Sequence, residues 1–282
     1  MLYYLIDYIE QLYRPPGFQV IRFITVRAAL ASITALVIAL FAGRRIIRWL
    51  RRQQLGEQVR EGDAAGAVSH VHKAGTPTMG GIIILLSVLG ATLLWGAIAN
   101  TYVWLVMAAT ATLGALGFAD DYVKTVLNEK DGLPARVKII GQVGVGCIVG
   151  GVLYFHPDFA DYNSLTYVPF LKDQLLDYNL FRFWELGVDL GWLVYIPVVV
   201  FIITAMSNAV NLTDGLDGLT TGVTAFVSLG LVALVYVSGN VELATFLNVM
   251  FLPGTGELTV FVAAVAAACF GFLWYNGYPA TV

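Results

Sequence analysis

Long uncharged runs alternate with short polar stretches along this chain. Positions 74–119 contain no Asp, Glu, Lys or Arg, which is enough for two membrane-crossing helices of about 20 residues with a turn at Asn100. The other uncharged runs are 28–43, 139–157, 190–213, 218–241 and 258–282. We therefore predict seven transmembrane helices, at about 23–46, 79–98, 102–119, 138–156, 191–210, 219–238 and 259–276.

The composition agrees with a chain that is solvated by lipid. Charged residues make up 12% of the sequence, whereas a soluble domain has roughly 25%. The predicted fold is an all-α polytopic membrane protein with residues 1–282 in one domain. The net charge of −3 gives no reason to expect nucleic-acid binding. Cys147 and Cys269 lie in apolar runs, so we interpret both as helix-packing residues.

Three further segments carry structural predictions. The aromatic residues of segment 1–21 are typical of a short helix at the membrane interface, and the acidic Asp7 and Glu10 distinguish this segment from a signal peptide. Residues 156–190 favour an external hairpin or loop. Arg27 falls near one end of the first span, where its side chain could extend to the headgroups.

The distribution of lysine and arginine predicts the orientation. The loops after spans 1 and 3 hold eleven of the 16 basic residues. Because basic loops stay in the cytoplasm, the N-terminus should face outward. Four polar motifs then lie on the cytoplasmic side: HKAGTPTMGG (72–81), GFADDYVK (117–124), NAVNLTDGLDGL (208–219) and YNGYPATV (275–282).

Two adjacent carboxylates, Asp120 and Asp121, stand at the end of span 3. Carboxylate oxygens suit Mg²⁺ that bridges phosphates, and one of the pair could instead act as a base or nucleophile. The alternative is an ordinary polar helix end. Lys124 lies one helical turn further on and could pair with either carboxylate.

The motif NAVNLTDGLDGL places polar side chains at every third position: Asn208, Asn211, Asp214 and Asp217. On a helix they form one ridge that could bind a polar ligand or a metal ion. The alternative is capping, with Asp214 as the N-cap of span 6. Capping explains one or two of the four residues, so the ridge favours a functional site.

The motif HKAGTPTMGG combines a cation with hydroxyl groups before span 2. Lys73 could neutralise a phosphate, and Thr76 and Thr78 could donate hydrogen bonds. The spacing is not that of a Walker A loop, so it does not indicate a nucleotide hydrolase. The alternative is a basic flank of an ordinary helix start.

These residue types together suit phosphoryl transfer to a lipid phosphate at the inner leaflet. The chain resembles the bacterial phospho-N-acetylmuramoyl-pentapeptide transferases (translocase I). GTPTMGG, FADDYVK, NAVNLTDGLDGL and FLWYNGYPA are similar to successive signatures of that family. The resemblance covers the whole chain, and the form of residues 73–81 distinguishes this branch from other polyprenyl-phosphate sugar-1-phosphate transferases.

The resemblance implies transfer of phospho-MurNAc-pentapeptide from its UDP carrier to undecaprenyl phosphate, which gives lipid I and UMP and requires Mg²⁺. It also implies a homodimer in the bacterial inner membrane. The implied catalytic and metal-binding residues are Asp120, Asp121 and Asp217. The implied substrate-binding residues are Lys73, Thr78, Lys124, Lys138, Asn208, Asn211, Asp214 and Asn276.

One departure from the family concerns the C-terminal end. Family members have about ten spans, and after YPA they continue into Phe-Met-Gly-Asp, whose aspartate is the family's main Mg²⁺ ligand. The sequence stops at Val282, before that aspartate and a later histidine-rich loop. We therefore expect a C-terminally truncated and inactive chain. The alternatives are a transferase that uses UDP-GlcNAc, an ion-coupled transporter and an inactive binding fragment.

Overall fold

The structure is a computed structural model that describes residues 1–52, 79–127, 129, 132–163, 165–167, 175–177 and 190–282. The helices are α1 (Leu2–Tyr13), α2 (Ile24–Arg52), α3 (Gly81–Trp95), α4 (Thr101–Thr125), α5 (Ala135–Phe155), α6 (Trp192–Thr213), α7 (Leu219–Ser238), α8 (Val241–Leu247) and α9 (Leu258–Asn276). Two short strands, β1 (Leu165–Tyr167) and β2 (Leu175–Asp177), pair antiparallel.

The fold class predicted from the uncharged runs is confirmed. Six helices in the described residues are long and apolar enough to cross a membrane, namely α2, α4, α5, α6, α7 and α9. Helix α3 is a shorter apolar helix of 15 residues. Each of the seven predicted spans overlaps one of these helices. Helix α8, with seven residues, was not predicted.

The best-packed region is formed by α2, α3 and α9, and small residues bring their backbones together. Ala31, Ala35 and Ala264 are fully buried in it. A Cβ atom added to Gly271 on α9 would lie 2.6 Å from the Cβ atom of Ala39 on α2. Because the hydrophobic effect does not drive helices together in lipid, the van der Waals contacts of this close packing stabilise the association of the helices.

Arg27 lies inside this region, so the prediction that it extends to the headgroups is wrong. The side chain is 2% exposed and donates two hydrogen bonds to Glu257, of 2.7 and 2.6 Å. Its guanidinium carbon lies 4.4 Å from the centre of the Tyr3 ring. A charge in this position is stable only when it is paired, and Glu257 supplies the pairing from a residue far along the chain.

Helices α5 and α6 form a second, more exposed region. A Cβ atom added to Gly146 on α5 would lie 2.8 Å from the Cα atom of Val200 on α6, so the two backbones are in close contact there. Helix α6 has no buried residue, although it is strongly apolar. Cys147 on α5 is exposed, which contradicts its predicted packing role, whereas Cys269 on α9 is buried as predicted.

Candidate functional site

A cavity of about 260 Å³ opens among the ends of α4, α5, α6 and α7. The end of α4 contributes Asp120, and the first turns of α5 contribute Lys138 and Gln142. The remaining lining residues are Leu113, Leu116, Gly117, Ser207, Asn208, Val210, Asn211, Asp214 and Thr220. Five of the predicted site residues therefore border one space: Asp120, Lys138, Asn208, Asn211 and Asp214.

Asp120 binds two lysines and one backbone amide. Its Oδ2 atom accepts a hydrogen bond of 2.8 Å from Lys124, which confirms the predicted pairing one turn apart. Its Oδ1 atom lies 2.8 Å from Lys138 Nζ and accepts a hydrogen bond of 2.8 Å from the Leu133 amide. Both carboxylate oxygens are thus occupied, and Asp120 holds two cations beside the cavity.

The loop between α4 and α5 is shaped to let Asp120 approach it closely. Gly132 has a φ of +68°, and a Cβ atom there would lie 2.4 Å from Asp120 Oδ1. Only glycine combines the left-handed backbone with that contact. The glycine therefore allows Asp120 to tie the loop, Lys124 and Lys138 into one unit.

Asp121 has a different environment from Asp120, although the two are adjacent on α4. It interacts electrostatically with Asp120 and Asp214, and with Lys124 and Lys138. Helix α4 continues to Thr125, so both carboxylates belong to its last turns rather than to the loop after it. Of the predicted ridge, Asp214 interacts electrostatically with Asp121.

The ridge on α6 is helical over its first half. Asn208 and Asn211 lie on the last turns of α6, and Asp214 is its C-cap. The alternative interpretation of Asp214 as an N-cap is wrong, because Gly218 occupies the N-cap of α7 and makes no side-chain cap hydrogen bond. The three residues line the cavity together, whereas Asp217 does not line it.

Asp217 belongs to a second cluster, where the start of α7 meets the end of α9. Asp217 Oδ2 accepts a hydrogen bond of 3.3 Å from the Ala280 amide. Asn276 Oδ1 accepts hydrogen bonds from the Gly218 amide (3.0 Å) and the Thr221 hydroxyl (3.2 Å). Asn276 thus fixes the turn that runs from Asp214 to α7.

Sequence reasoning missed three polar residues of the cavity: Gln142, Ser207 and Thr220. Gln142 is 6% exposed and lies within the uncharged run 139–157. A glutamine that interrupts an apolar span is itself a signal, since a polar side chain in lipid needs a partner. Gln142 lines the same cavity as Lys138, which lies one helical turn before it on α5.

The oxygen-rich lining agrees in chemistry with a hard cation. Asp214 and the two asparagines offer carboxylate and amide oxygens, which are the donors that Mg²⁺ accepts. Within the described part of the chain, no group of three or more His, Cys, Asp or Glu side chains is close enough to hold a metal ion. The predicted metal role of Asp120, Asp121 and Asp217 stays a prediction. Lys73 and Thr78 lie outside the described residues.

Two family models match the chain. The model for glycosyl transferase family 4 matches residues 103–282, which is more than half of the chain. The model for the phospho-N-acetylmuramoyl-pentapeptide-transferase signature 1 matches residues 73–85. The first match spans the cavity and the Asp217–Asn276 cluster, and the second covers the predicted Lys73 and Thr78 motif.

Similar proteins carry the same name in several bacteria. A phospho-N-acetylmuramoyl-pentapeptide-transferase of Salinibacter ruber is 84% identical over 282 residues, which is 100% of this chain and 73% of that protein. Proteins of the same name from Chloroherpeton thalassium and Flavobacterium psychrophilum are 46% and 43% identical, again over 100% of this chain and over 72% and 75% of their own lengths.

Proposed function

The chain belongs to the phospho-N-acetylmuramoyl-pentapeptide-transferase family, and from this membership we propose how its cavity performs the transfer. The reaction moves phospho-MurNAc-pentapeptide from its UDP carrier to undecaprenyl phosphate and gives lipid I and UMP. A phosphate oxygen of the lipid attacks the sugar-bound phosphorus, and the anhydride bond to UMP breaks. The observation that supports this proposal most directly is the pair of lysines held beside an amide-lined cavity.

The lysines address the main difficulty of this reaction, which is the approach of two anionic phosphates. Lys138 lines the cavity, and Lys124 shares the carboxylate of Asp120 with it. Both side chains are partly exposed, at 30% and 41%, so an incoming phosphate can reach them. Phosphoryl transfer depends chiefly on positioning and charge neutralisation, and two fixed ammonium groups provide both.

The two adjacent aspartates receive different roles in this proposal. Asp120 anchors the lysines and the loop, because its two oxygens already accept three donors. Asp121 interacts electrostatically with Asp214 and is the better candidate for the metal face of the site. The family resemblance implies Asp120, Asp121 and Asp217 as ligands of Mg²⁺. Because Asp120 is already bound to the lysines, Asp121 and Asp217 would hold the ion, which would neutralise phosphate charge.

The asparagines and the second cluster supply the polar surface for the nucleotide sugar. Asn208, Asn211 and Asp214 line the cavity from α6 and from the turn after it. Asn276 keeps that turn in place from α9. Lys73 and Thr78 would complete the contacts to the diphosphate, as the resemblance implies.

Transfer itself is the test of the proposed function. Purified protein receives UDP-MurNAc-pentapeptide, undecaprenyl phosphate and Mg²⁺, and release of UMP is measured. The 282-residue chain is compared with a chain extended by the homologous C-terminal residues of a relative. We expect UMP from the extended chain and loss of that activity in Asp121→Asn. Transfer from UDP-GlcNAc in preference to the muramoyl substrate would contradict the proposal, as would an extended, folded chain that releases no UMP.

The protein lies in the bacterial inner membrane, as its family and its apolar helices indicate. We propose in addition that it forms a homodimer there and that the cavity faces the cytoplasm. Cysteine labelling from each side of the membrane tests the orientation, with Glu129→Cys between α4 and α5 as the single cysteine of a protein in which Cys147 and Cys269 are replaced by alanine. Cross-linking in native membranes tests the dimer.

A further inference from the structure

Gln142 joins α5 to α6 through a pair of side-chain hydrogen bonds at the wall of the cavity. Its Nε2 atom donates to the Ser207 hydroxyl over 3.0 Å. Its Oε1 atom accepts from Asn208 Nδ2 over 2.9 Å. The side chain is 6% exposed, so these contacts are shielded from solvent.

The orientation of the Asn208 amide follows from its neighbours. Asn208 Nδ2 also donates to the Thr204 backbone carbonyl over 2.8 Å. A carbonyl oxygen only accepts, so the Asn208 atom that faces it must be the nitrogen. Both hydrogens of Nδ2 are then used, one by Thr204 and one by Gln142.

The Asn208 atom that remains for a ligand is its carbonyl oxygen. Asn208 is exposed and lines the cavity, and its Oδ1 atom accepts no hydrogen bond from the described residues. An amide held in this way presents an acceptor only. It selects a ligand group that donates an N–H or O–H hydrogen bond, or it coordinates a cation itself.

We infer that Gln142 is a positioning residue, which holds Asn208 with its carbonyl oxygen toward the cavity to receive a hydrogen-bond donor of the nucleotide sugar. This inference rests on the proposed function for the identity of the ligand. The terminal torsion of an asparagine is broad, so without Gln142 the amide turns more freely. A second hydrogen bond to a buried partner removes that freedom before the ligand arrives.

The test is a double-mutant cycle between Gln142 and Asn208. The variants are Gln142→Leu, Asn208→Ala and the combination, in the same extended chain that is used to measure UMP release. The matched control is Val145→Ala, because Val145 is a buried apolar residue of the same helix and does not line the cavity. KM, kcat and the unfolding temperature are measured for each protein.

We expect Gln142→Leu to raise the KM for the nucleotide sugar by about tenfold and to change the KM for the polyprenyl phosphate by less than about twofold. Because Gln142 acts through Asn208, the double variant should be no worse than Asn208→Ala alone. Val145→Ala should lower the unfolding temperature without raising either KM. Additive losses in the double variant would overturn the inference, and so would a Gln142→Leu protein that matches the Val145→Ala control.

A calorimetric measurement of UDP-MurNAc-pentapeptide binding separates this inference from the proposed function. If the wild-type protein binds the nucleotide sugar but releases no UMP, the transfer proposal fails and the binding constants of the same four variants decide the role of Gln142. Equal affinity of the wild-type protein and Gln142→Leu contradicts the inference. Absence of binding to the wild-type protein contradicts it as well.

Discussion

The region of α2, α3 and α9 and the region of α4, α5 and α6 use polar residues in opposite ways. In the first, Arg27 is 2% exposed and both of its terminal nitrogens bind Glu257. In the second, the two lysines bound to Asp120 are 30% and 41% exposed, and one of them, Lys138, lines an open cavity. A polar group that is buried and paired stabilises the fold. A polar group that is paired but still accessible to solvent can exchange its partner for a ligand.

The first region is also more deeply buried than the second. In the span that ends with α9, 61% of an apolar stretch of 18 residues is buried. In the corresponding apolar stretch of α6, no residue is buried. The well-packed helices therefore provide the rigid part of the molecule. Where α5 and α6 meet beside the cavity, Gly146 and Gly150 bring the two backbones into close contact, so a larger side chain at either position would alter the spacing of the helices.

The largest expected effect comes from breaking the sealed ion pair. Arg27→Ala leaves Glu257 without its partner and should lower the free energy of unfolding by about 3–5 kcal/mol. The loss of stability is measured by thermal unfolding in detergent, with size-exclusion chromatography as the measure of the fraction that stays folded. The double variant Arg27→Met with Glu257→Leu removes both charges and should recover much of the stability. A double variant as unstable as Arg27→Ala would contradict this account.

Substitution of the accessible lysines should, in contrast to that of Arg27, cause a large loss of activity and a small loss of stability. Lys138→Met removes the cavity-lining cation, and we expect kcat/KM for UMP release to fall about 100-fold. The partly exposed ion pair should contribute less than about 1 kcal/mol to unfolding. Lys124→Met is the matched variant, and it should lose less activity than Lys138→Met, because Lys124 binds the same carboxylate but does not line the cavity. Equal activity losses in the two variants would refute the distinction.

The sequence predicted the helices well because lipid permits few alternatives. Six uncharged runs, of which residues 74–119 are long enough for two spans, predicted seven helices, since each span must satisfy its backbone hydrogen bonds internally. The ridge from Asn208 to Asp214 was predicted for a similar reason, because the helical repeat places every third or fourth residue on one face. The repeat does not extend to Asp217, which lies in the turn after α6 has ended.

The contacts that were missed join residues far apart in the sequence. The partner of Arg27 lies 230 residues away, and no local pattern points to Glu257. Gln142 and Ser207 are separated by 65 residues and meet only because α5 and α6 pack together. Hydropathy places both residues in a span, but it does not say which face of that span meets another helix.

The smallest expected effect concerns the spacing of α5 and α6, and it tests whether the cavity depends on that spacing. Gly146 lies one turn from Gln142, and in Gly146→Ala the new Cβ atom would lie 2.8 Å from Val200 Cα. The backbone of α6 must then shift, which should lower the free energy of unfolding by about 1–3 kcal/mol. Because the same shift lengthens the Gln142–Asn208 hydrogen bond, the KM for the nucleotide sugar should rise several-fold, about as far as one weakened hydrogen bond allows.

Gly144 offers the matched control for this substitution. It lies on the same helix, and a Cβ atom there meets nothing within 4 Å. Gly144→Ala should therefore leave the KM unchanged and stabilise the protein slightly, by about 0.5–1 kcal/mol, because alanine loses less backbone entropy than glycine in a helix. If Gly146→Ala lowers stability while the KM stays constant, the cavity tolerates movement of α6, and the polar groups on its wall are held by α6 alone. If both variants behave alike, the two helices are not in the close contact that sets the distance between Gln142 and Asn208.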